Sequence, residues 1–408
     1  MEYDVIVVGA RVAGAATALL LARAGLRVLA VDRATFPSDT ISSHQVQVPG
    51  IALLHRWGLL DRLTAAGTPP TRRVRFDPGP VVLDGAFPEY GGVDALYSPR
   101  RTLLDALLVT AAREAGADVL EGVRVEELTL DGAGRISGIR GTQRAGADLH
   151  ATADLVVGAD GKHSFVAERV GARLYRSRPV QAFACYGYHA GVSLCNGELY
   201  QRPGRTVAAF PTNDDLTMVY VSAPLAEFDR FRRDIEVSYL DSLDVCGDLG
   251  ERVRSGRRVE RLRTTPDQPN TFRAASGAGW ALVGDAGVVM DSITAQGITN
   301  ALRDADSLAA SIVAGFDGSR PLPVALTGHG RRRDREISAM YDFTGRVAEF
   351  RAPTAIQRKL FTALQDRPAE ITRFLAAFAG ISPIDAYLSA RNAARVIATS
   401  WCPTTSQA

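Results

Sequence analysis

Tyr3-Asp4-Val5-Ile6-Val7-Val8-Gly9-Ala10-Arg11-Val12-Ala13-Gly14 passes from a β-branched apolar run straight into small residues, and that junction decides the fold. A run of this length and composition forms a strand buried on both faces. The alanine- and leucine-rich segment from Ala15 to Ala24 has high helix propensity, with Gly25 placed where a helix takes a left-handed end. A helix therefore starts at the glycines. Leu26 to Val31 returns as a second apolar strand and stops at Asp32-Arg33, the distance beyond the glycines at which an acid meets a ribose 2′-hydroxyl. The unit reads as a βαβ cradle for a dinucleotide. Its helix N-terminus offers unpaired N–H groups and positive dipole potential to a pyrophosphate, and small residues let the backbone come close. The alternative is an ordinary tight strand-to-helix turn. Arg11 stands at the second glycine of the G-x-G-x-x-G pattern, where a long cation either pairs with the pyrophosphate or points into solvent.

Around this cradle, 408 residues suggest two or three domains. A net charge of +2, with no basic run interleaved with aromatics, gives no reason to expect nucleic acid. Cys185, Cys195, Cys246 and Cys402 lie far apart without a C-x-x-C pair. That argues against a zinc knot, a redox dithiol or a secreted disulfide framework and for a reducing compartment. Met1-Glu2-Tyr3-Asp4 lacks the basic start of a signal peptide, and no apolar run reaches membrane-spanning length. The expectation is a cytoplasmic protein without a membrane span.

After Arg33, the hydroxyl-rich segment Ala34 to Val48 reads as a loop that either lines a site or bonds to itself. Pro49 opens a helical pattern carried by Leu53, Leu54, Trp57, Leu59 and Leu60 and closed by Gly67. Arg72 to Phe76 and Val81 to Phe87 flank Pro78-Gly79-Pro80 as a hairpin, so the chain leaves the parallel sheet. Ser98-Pro99 reads as an N-cap and first helical position, with Arg100 and Arg101 in the first turn, where a cation opposes the dipole unless an anion is near. Val123 to Leu130, Ile136 to Thr142 and Leu149 to Ala151 form an antiparallel meander. Asp154 to Gly158 then returns as an apolar strand ending in Ala159-Asp160-Gly161. From Leu174 to Gly277 alternating strands predict an antiparallel sheet covered by charged helices over 227–244 and 249–255. Gly279 to Val283 is a buried strand before Gly284-Asp285, a helix follows over Gly297 to Ala314, and beyond Pro321 the pattern is helical.

Three of these pieces are matched together by one pattern. The N-terminal cradle, the Gly158-Ala159-Asp160-Gly161…Ser164 turn, and the Gly284-Asp285 turn with its Gln296-Gly297 helix resemble the three flavin motifs of FAD-dependent oxidoreductases of the para-hydroxybenzoate hydroxylase type. The chain also resembles the neighbouring geranylgeranyl reductase and flavin halogenase branches. The resemblance implies an α/β plus α+β fold: a discontinuous Rossmann-like FAD-binding domain (1–70, 96–173 and 278–330), an antiparallel-sheet substrate domain (71–95 and 174–277), and a helical C-terminal region (331–408). Gly9, Arg11, Ala13 and Gly14 would then surround the FAD pyrophosphate, Asp32 would hold the adenosine ribose, and Arg33 would flank the adenine. Arg101 would contact the phosphate and ribityl region, Val125 would meet the adenine edge through its backbone, and Asp160 would lie in the second motif. Asp285 would accept bonds from ribityl hydroxyls. The start of the next helix, with Gln296, Gly297 and Ile298, would face the flavin N1–C2=O edge, where a helix N-terminus stabilises the reduced anion.

This sequence departs from the pattern in three places. Phe165, Val166 and Ala167 follow Ser164 where the family commonly has an arginine. Val288 to Ala295 replaces the usual histidine and proline and places a carboxylate, Asp291, just before the flavin-facing helix. Phe210-Pro211 survive from the halogenase and prenyl-reductase motif, but Thr206 and Ala208 replace its aromatics. The resemblance therefore implies a monooxygenase, with NADPH or NADH as transient reductant and O2 as co-substrate. It would hydroxylate an aromatic or polyketide-like molecule through a flavin C4a-hydroperoxide. The alternatives are a flavin-dependent reductase or dehydrogenase acting on a C=C bond, and a flavin-binding protein without turnover. Cys185, Tyr186, Tyr188, His189, Tyr220 and Ser222 are candidate walls of a substrate site. Asp291 is a candidate catalytic carboxylate or a local cap. His44 is the candidate base for a substrate phenol, since its intrinsic pKa suits the task; it is alternatively a histidine bonded to its loop, or a point of covalent FAD attachment.

Overall fold

The computed structural model describes residues 1–144 and 146–399; residues 400–408, with Cys402, lie outside the described residues. The opening strand, Glu2–Val8, runs at the centre of the first sheet, with Val28–Asp32 on one side and Asp148–Gly158 on the other, both parallel to it. Asp118–Glu121 and Trp280–Leu282 extend the parallel part at its two ends. The β-branched run is buried because both faces are covered: Val5 and Val7 point into one core, Ile6 and Val8 into another. Three helices stack on the first of these faces, Val12–Arg23 lying between Arg101–Glu114 and Gly297–Phe316. Ala13, Ala15, Ala16 and Ala18 are all buried on the middle helix, and their small side chains let both neighbours approach.

Some elements differ from their sequence expectation. Leu149–Ala151 and Asp154–Gly158 are one strand, Asp148–Gly158, whose first half pairs antiparallel with Ile136–Gln143 and whose second half pairs parallel with the opening strand. No turn residue interrupts the alternating burial between them, so the strand bridges hairpin and parallel sheet. The helical pattern from Pro49 is two helices, Val48–Arg56 and Leu60–Ala65, parted at Gly58 with φ of 74°. The helix expected to start at Pro99 begins at Arg101, without a side-chain cap from Ser98. The Arg100 N–H donates instead to the Asn213 side chain at 3.0 Å, so a residue from a distant turn satisfies the helix end.

The second sheet runs in the order Arg257–Arg258, Ala182–Ala190, Leu216–Pro224, Arg205–Pro211, Gly197–Arg202, Arg73–Asp77, Leu83–Ala86. The expected hairpin joins it through Arg73–Asp77, which pairs in parallel with Gly197–Arg202. Phe183, Cys185, Val219 and Val221 project to the face covered by the helices Ile235–Asp244 and Leu249–Ser255. Tyr186, Tyr188, Met218 and Tyr220 project to the other face. Five helices between Leu322 and Thr399 follow. One of them, Pro368–Phe378, lies so tightly on the edge strand that a Cβ at Gly85 would stand 2.5 Å from Ile371. No helix of the described residues is long and apolar enough to cross a membrane.

Candidate cofactor cleft and substrate cavity

The fingerprint glycines are enforced by backbone contacts. Gly9 has φ of 100°, and a Cβ on it would lie 2.4 Å from the Ala159 carbonyl oxygen. A Cβ on Gly14 would lie 1.7 Å from the Gly9 carbonyl oxygen. The strand end, the helix start and the second turn therefore touch main chain to main chain. Gly284, with φ of 61°, brings the third turn against Ala13, and its N–H donates to the buried Asp304 carboxylate at 2.8 Å. Burial lifts the Asp304 pKa to about 6, against the pull of Arg333. Asp32 is buried and accepts the N–H groups of Ala10 at 2.7 Å and Ala34 at 2.8 Å. Arg33 is exposed beside it, and Val125 is half-buried in the strand that follows Gly122.

Arg11 and Arg101 converge on one acid. Arg11 reaches the Asp105 carboxylate at 2.6 Å and also donates to the Ser38 hydroxyl at 2.9 Å. Arg101 reaches the same carboxylate at 2.9 Å. Arg11 thus neither stands free in solvent nor leaves the cradle; it fastens the loop after Asp32 to the helix Arg101–Glu114. Two guanidinium groups share one carboxylate, which leaves a net positive charge beside the N-terminus of the helix Val12–Arg23. Asp160 has its oxygens taken by the Ser164 hydroxyl and the Val166 N–H, and Ser164 in turn accepts the Ala167 N–H at 2.9 Å. Asp160 holds its own turn together, and burial raises its pKa.

Asp285 is exposed, yet desolvation raises its pKa against Arg101 and Lys162. A carboxylate both accessible and desolvated lies on the floor of a cleft. Gly297 opens on the same space: it is exposed between the buried Gln296 and Ile298, and a Cβ on it would meet nothing within 4 Å. An uncrowded helix N-terminus, a carboxylate for hydroxyl groups and a surplus cation fit the flavin, ribityl and pyrophosphate parts of FAD respectively.

Beyond this helix start lies a cavity. Ser292, Ile293, Thr294 and Ala295 form the wall that leads to Gly297; Ser43, Gln45 and Gln47 form a second. Strand residues Val74, Phe76, Ala208, Phe210 and Tyr220 form a third, and Phe374, Leu375 and Phe378 close the far side. The far side is tied to the cofactor helix, because Gln296 donates to the Phe378 carbonyl at 3.0 Å and Arg303 to the Gly380 carbonyl at 2.6 Å.

Of the candidate wall tyrosines, Tyr220 lines this cavity, its hydroxyl 2.9 Å from the Ser292 hydroxyl. Tyr186 and Tyr188 lie on the same sheet face but meet His44. His189 stands on the helix-covered side, 3.0 Å from the Tyr239 hydroxyl and parallel to its ring, and Cys185 shares that side. Ser222 donates to the Phe183 carbonyl at 3.0 Å. His44 is fully buried in left-handed backbone, φ of 60°, which turns its ring away while its neighbours Ser43 and Gln45 line the cavity. Its Nε2 is bonded to the Tyr188 hydroxyl and its Nδ1 has no partner. Burial, then Arg101, Arg100 and Arg263, holds its pKa well below the ordinary value. Asp291 is buried, accepts the Ile293 N–H at 2.9 Å through one oxygen and leaves the other without a partner. Burial raises its pKa to about 6.

Sequence reasoning reached Gln45 only through its loop and missed Asp105, Asp304, Phe374 and Phe378. The first two are lone acids on otherwise apolar helix faces, and that was a readable signal. The phenylalanines sit four apart on one helix face, a pattern that any core-packing helix shares.

A family profile described as "FAD binding domain" matches residues 2–343. The chain is 26% identical over 363 residues to a tryptophan 2-halogenase of Chondromyces crocatus, covering 84% of this chain and 68% of that protein. It is 26% identical over 358 residues to a menaquinone reductase of Mycobacterium tuberculosis, covering 83% and 84%. It is 29% identical over 321 residues to a 6-methylpretetramide 4-monooxygenase of Streptomyces rimosus, covering 74% and 73%. Among solved structures, the myxobacterial chondrochloren halogenase superposes with a TM-score of 0.79 at 23% identity, over 98% of this chain and 96% of that one, which shows the shared fold. With the profile spanning most of the chain over a cleft that suits the cofactor, the protein belongs to the FAD-binding domain family of para-hydroxybenzoate hydroxylase-like fold and is an FAD-dependent oxidoreductase.

Proposed function

We propose that the protein is an NAD(P)H-dependent monooxygenase acting in the cytoplasm on an aromatic or polyketide-like small molecule. The balance is substrate–H, O2, NAD(P)H and a proton giving substrate–OH, water and NAD(P)+. The observation that supports this reading is the largely apolar cavity adjoining the turn that leads to Gly297, a place where a ring can rest against the redox group.

FAD, when bound, supplies hydride acceptance and the reduction of oxygen; the chain supplies position and electrostatics. Gly9, Arg11, Ala13 and Gly14 would border the pyrophosphate, with Asp32 at the ribose and Arg33 and Val125 at the adenine. Arg101 and Asp285 would lie along the ribityl chain. Gln296, Gly297 and Ile298 would present the helix N-terminus to the flavin edge. Asp160 would keep the second turn in place beneath it. His44 is the proposed base: it is kept neutral, and a turn of its ring away from the Tyr188 hydroxyl would bring its unpartnered Nδ1 to a phenol at the edge of the cavity.

The test is aerobic turnover with NAD(P)H, isotopically labelled O2 and a panel of ring compounds. A product that gains one labelled oxygen is expected. A second reading, reduction of a C=C bond, is favoured by the apolar cavity together with the likeness to the menaquinone reductase. Undiminished anaerobic turnover to a product richer in hydrogen would select it.

A further inference from the structure

None of the side chains that line the cavity carries a charge. The neighbouring cations are engaged elsewhere: Arg100 with Glu260 and over the Tyr188 ring at 4.1 Å, Arg263 with Asp39 at 2.8 Å. Asp291 is 1% exposed and lies behind Ser292. A carboxylate entering this space would lose its water and meet no counter-ion, with the Asp291 carboxyl behind Ser292 as a like charge.

The polar groups that do line the cavity are all on one side. They come from the two loops, as Ser43, Gln45, Gln47, Ser292 and Thr294, joined by the Tyr220 hydroxyl through its bond to Ser292. The Gln47 side-chain amide donates to the Gln45 side-chain oxygen Oε1 at 3.1 Å, while the Gln45 Nε2, on a residue 6% exposed, has no partner. The opposite side is aromatic. Phe76 and Phe374 join sheet and late helix with ring centroids 5.3 Å apart. Ala208, opposite Tyr220 in the strand register, leaves the sheet wall recessed between them.

We propose that this cavity selects an uncharged, flat, multi-ring molecule bearing carbonyl or hydroxyl oxygens along one edge. That edge lies against Gln45 and Ser292, the apolar body lies under Phe374 and Phe378, and carboxylates are rejected. The inference rests on reading the cavity as the substrate site of the proposed oxidoreductase.

The FAD-loaded protein, titrated at neutral pH while the flavin spectrum is followed, provides the test. The probes are 2-hydroxymethylanthraquinone, anthraquinone-2-carboxylate and 2-hydroxymethylanthracene, matched in shape and differing in charge or in ring carbonyls. The neutral quinone should bind at least about tenfold more tightly than the carboxylate. Gln45→Leu should weaken the neutral quinone by about three- to tenfold and leave the anthracene unchanged. Ala208→Trp should abolish binding of all three with FAD content intact, which holds even where Gln45→Leu fails to fold. Equal or tighter binding of the carboxylate, no binding of the neutral quinone, or indifference to Ala208→Trp would each overturn the selection. Tight binding of neutral rings without labelled product would leave the selection standing and remove the monooxygenase reading; labelled product from a carboxylate substrate would do the reverse.

Discussion

The guanidinium of Arg11 lies 2.6 Å from the carboxylate of Asp105, whose side chain is wholly buried. The arginine that replaces a glycine in the phosphate-binding turn is thereby given a partner from another helix, and Arg101 shares it. Asp105→Ala should leave two cations side by side at a helix start. A loss of about 3 kcal/mol in chemical denaturation is expected, as for breaking a largely buried pair. An unchanged midpoint would mean that both arginines find other partners.

Gly14 and Gly297 should respond oppositely to alanine. At Gly14 the new Cβ collides with the Gly9 carbonyl, so Gly14→Ala should cost about 2 to 4 kcal/mol and eliminate FAD uptake. At Gly297 nothing is within 4 Å, so the FAD-free protein should gain up to about 1 kcal/mol from helix propensity. Gly297→Ala should nevertheless bind FAD more weakly, because its methyl occupies the space proposed for the flavin edge. Thermal melts of FAD-free protein beside FAD titrations separate the two effects.

For Asp291, a pKa raised to about 6 by burial means that the native state holds its proton more tightly than the unfolded chain does. The wild type therefore loses stability as pH rises from about 4 through 6 and does not regain it above. Asp291→Asn keeps an acceptor for the Ile293 N–H and escapes that loss. It should match the wild type near pH 4 and exceed it by up to about 3 kcal/mol at pH 7. If turnover falls while stability rises, the ionised carboxylate serves the reaction.

His44→Ala should slow oxygenation of a phenolic substrate by roughly 10² to 10⁴ at neutral pH, recover in part where the phenol ionises unaided, and leave FAD affinity nearly intact. A rate that does not change would assign the residue to packing between Tyr186 and Tyr188.

The cradle was legible from sequence because its determinants are local: a β-branched run, glycines that only backbone crowding can demand, and an acid at the end of the second strand. The sheet faces were half legible. Alternation separates Tyr186 from Cys185, but nothing local says which side meets helices over 235–255 and which meets the cofactor half. Least legible was whatever is assembled across the chain. Asn213 caps a helix from 113 residues away, His44 is turned by a left-handed backbone angle, and the cavity's far wall comes from phenylalanines that look like ordinary core.

The hydrogen bond from Gln296 to the Phe378 carbonyl joins the helix start proposed to face the cofactor to the helix that closes the far side of the cavity. Substitutions over 368–378 would reshape the cavity wall formed by Phe374, Leu375 and Phe378 while the nucleotide-binding turns stay untouched. The acceptors of Gln296 and Arg303 at Phe378 and Gly380 are main-chain carbonyls, so both contacts are indifferent to side-chain identity there.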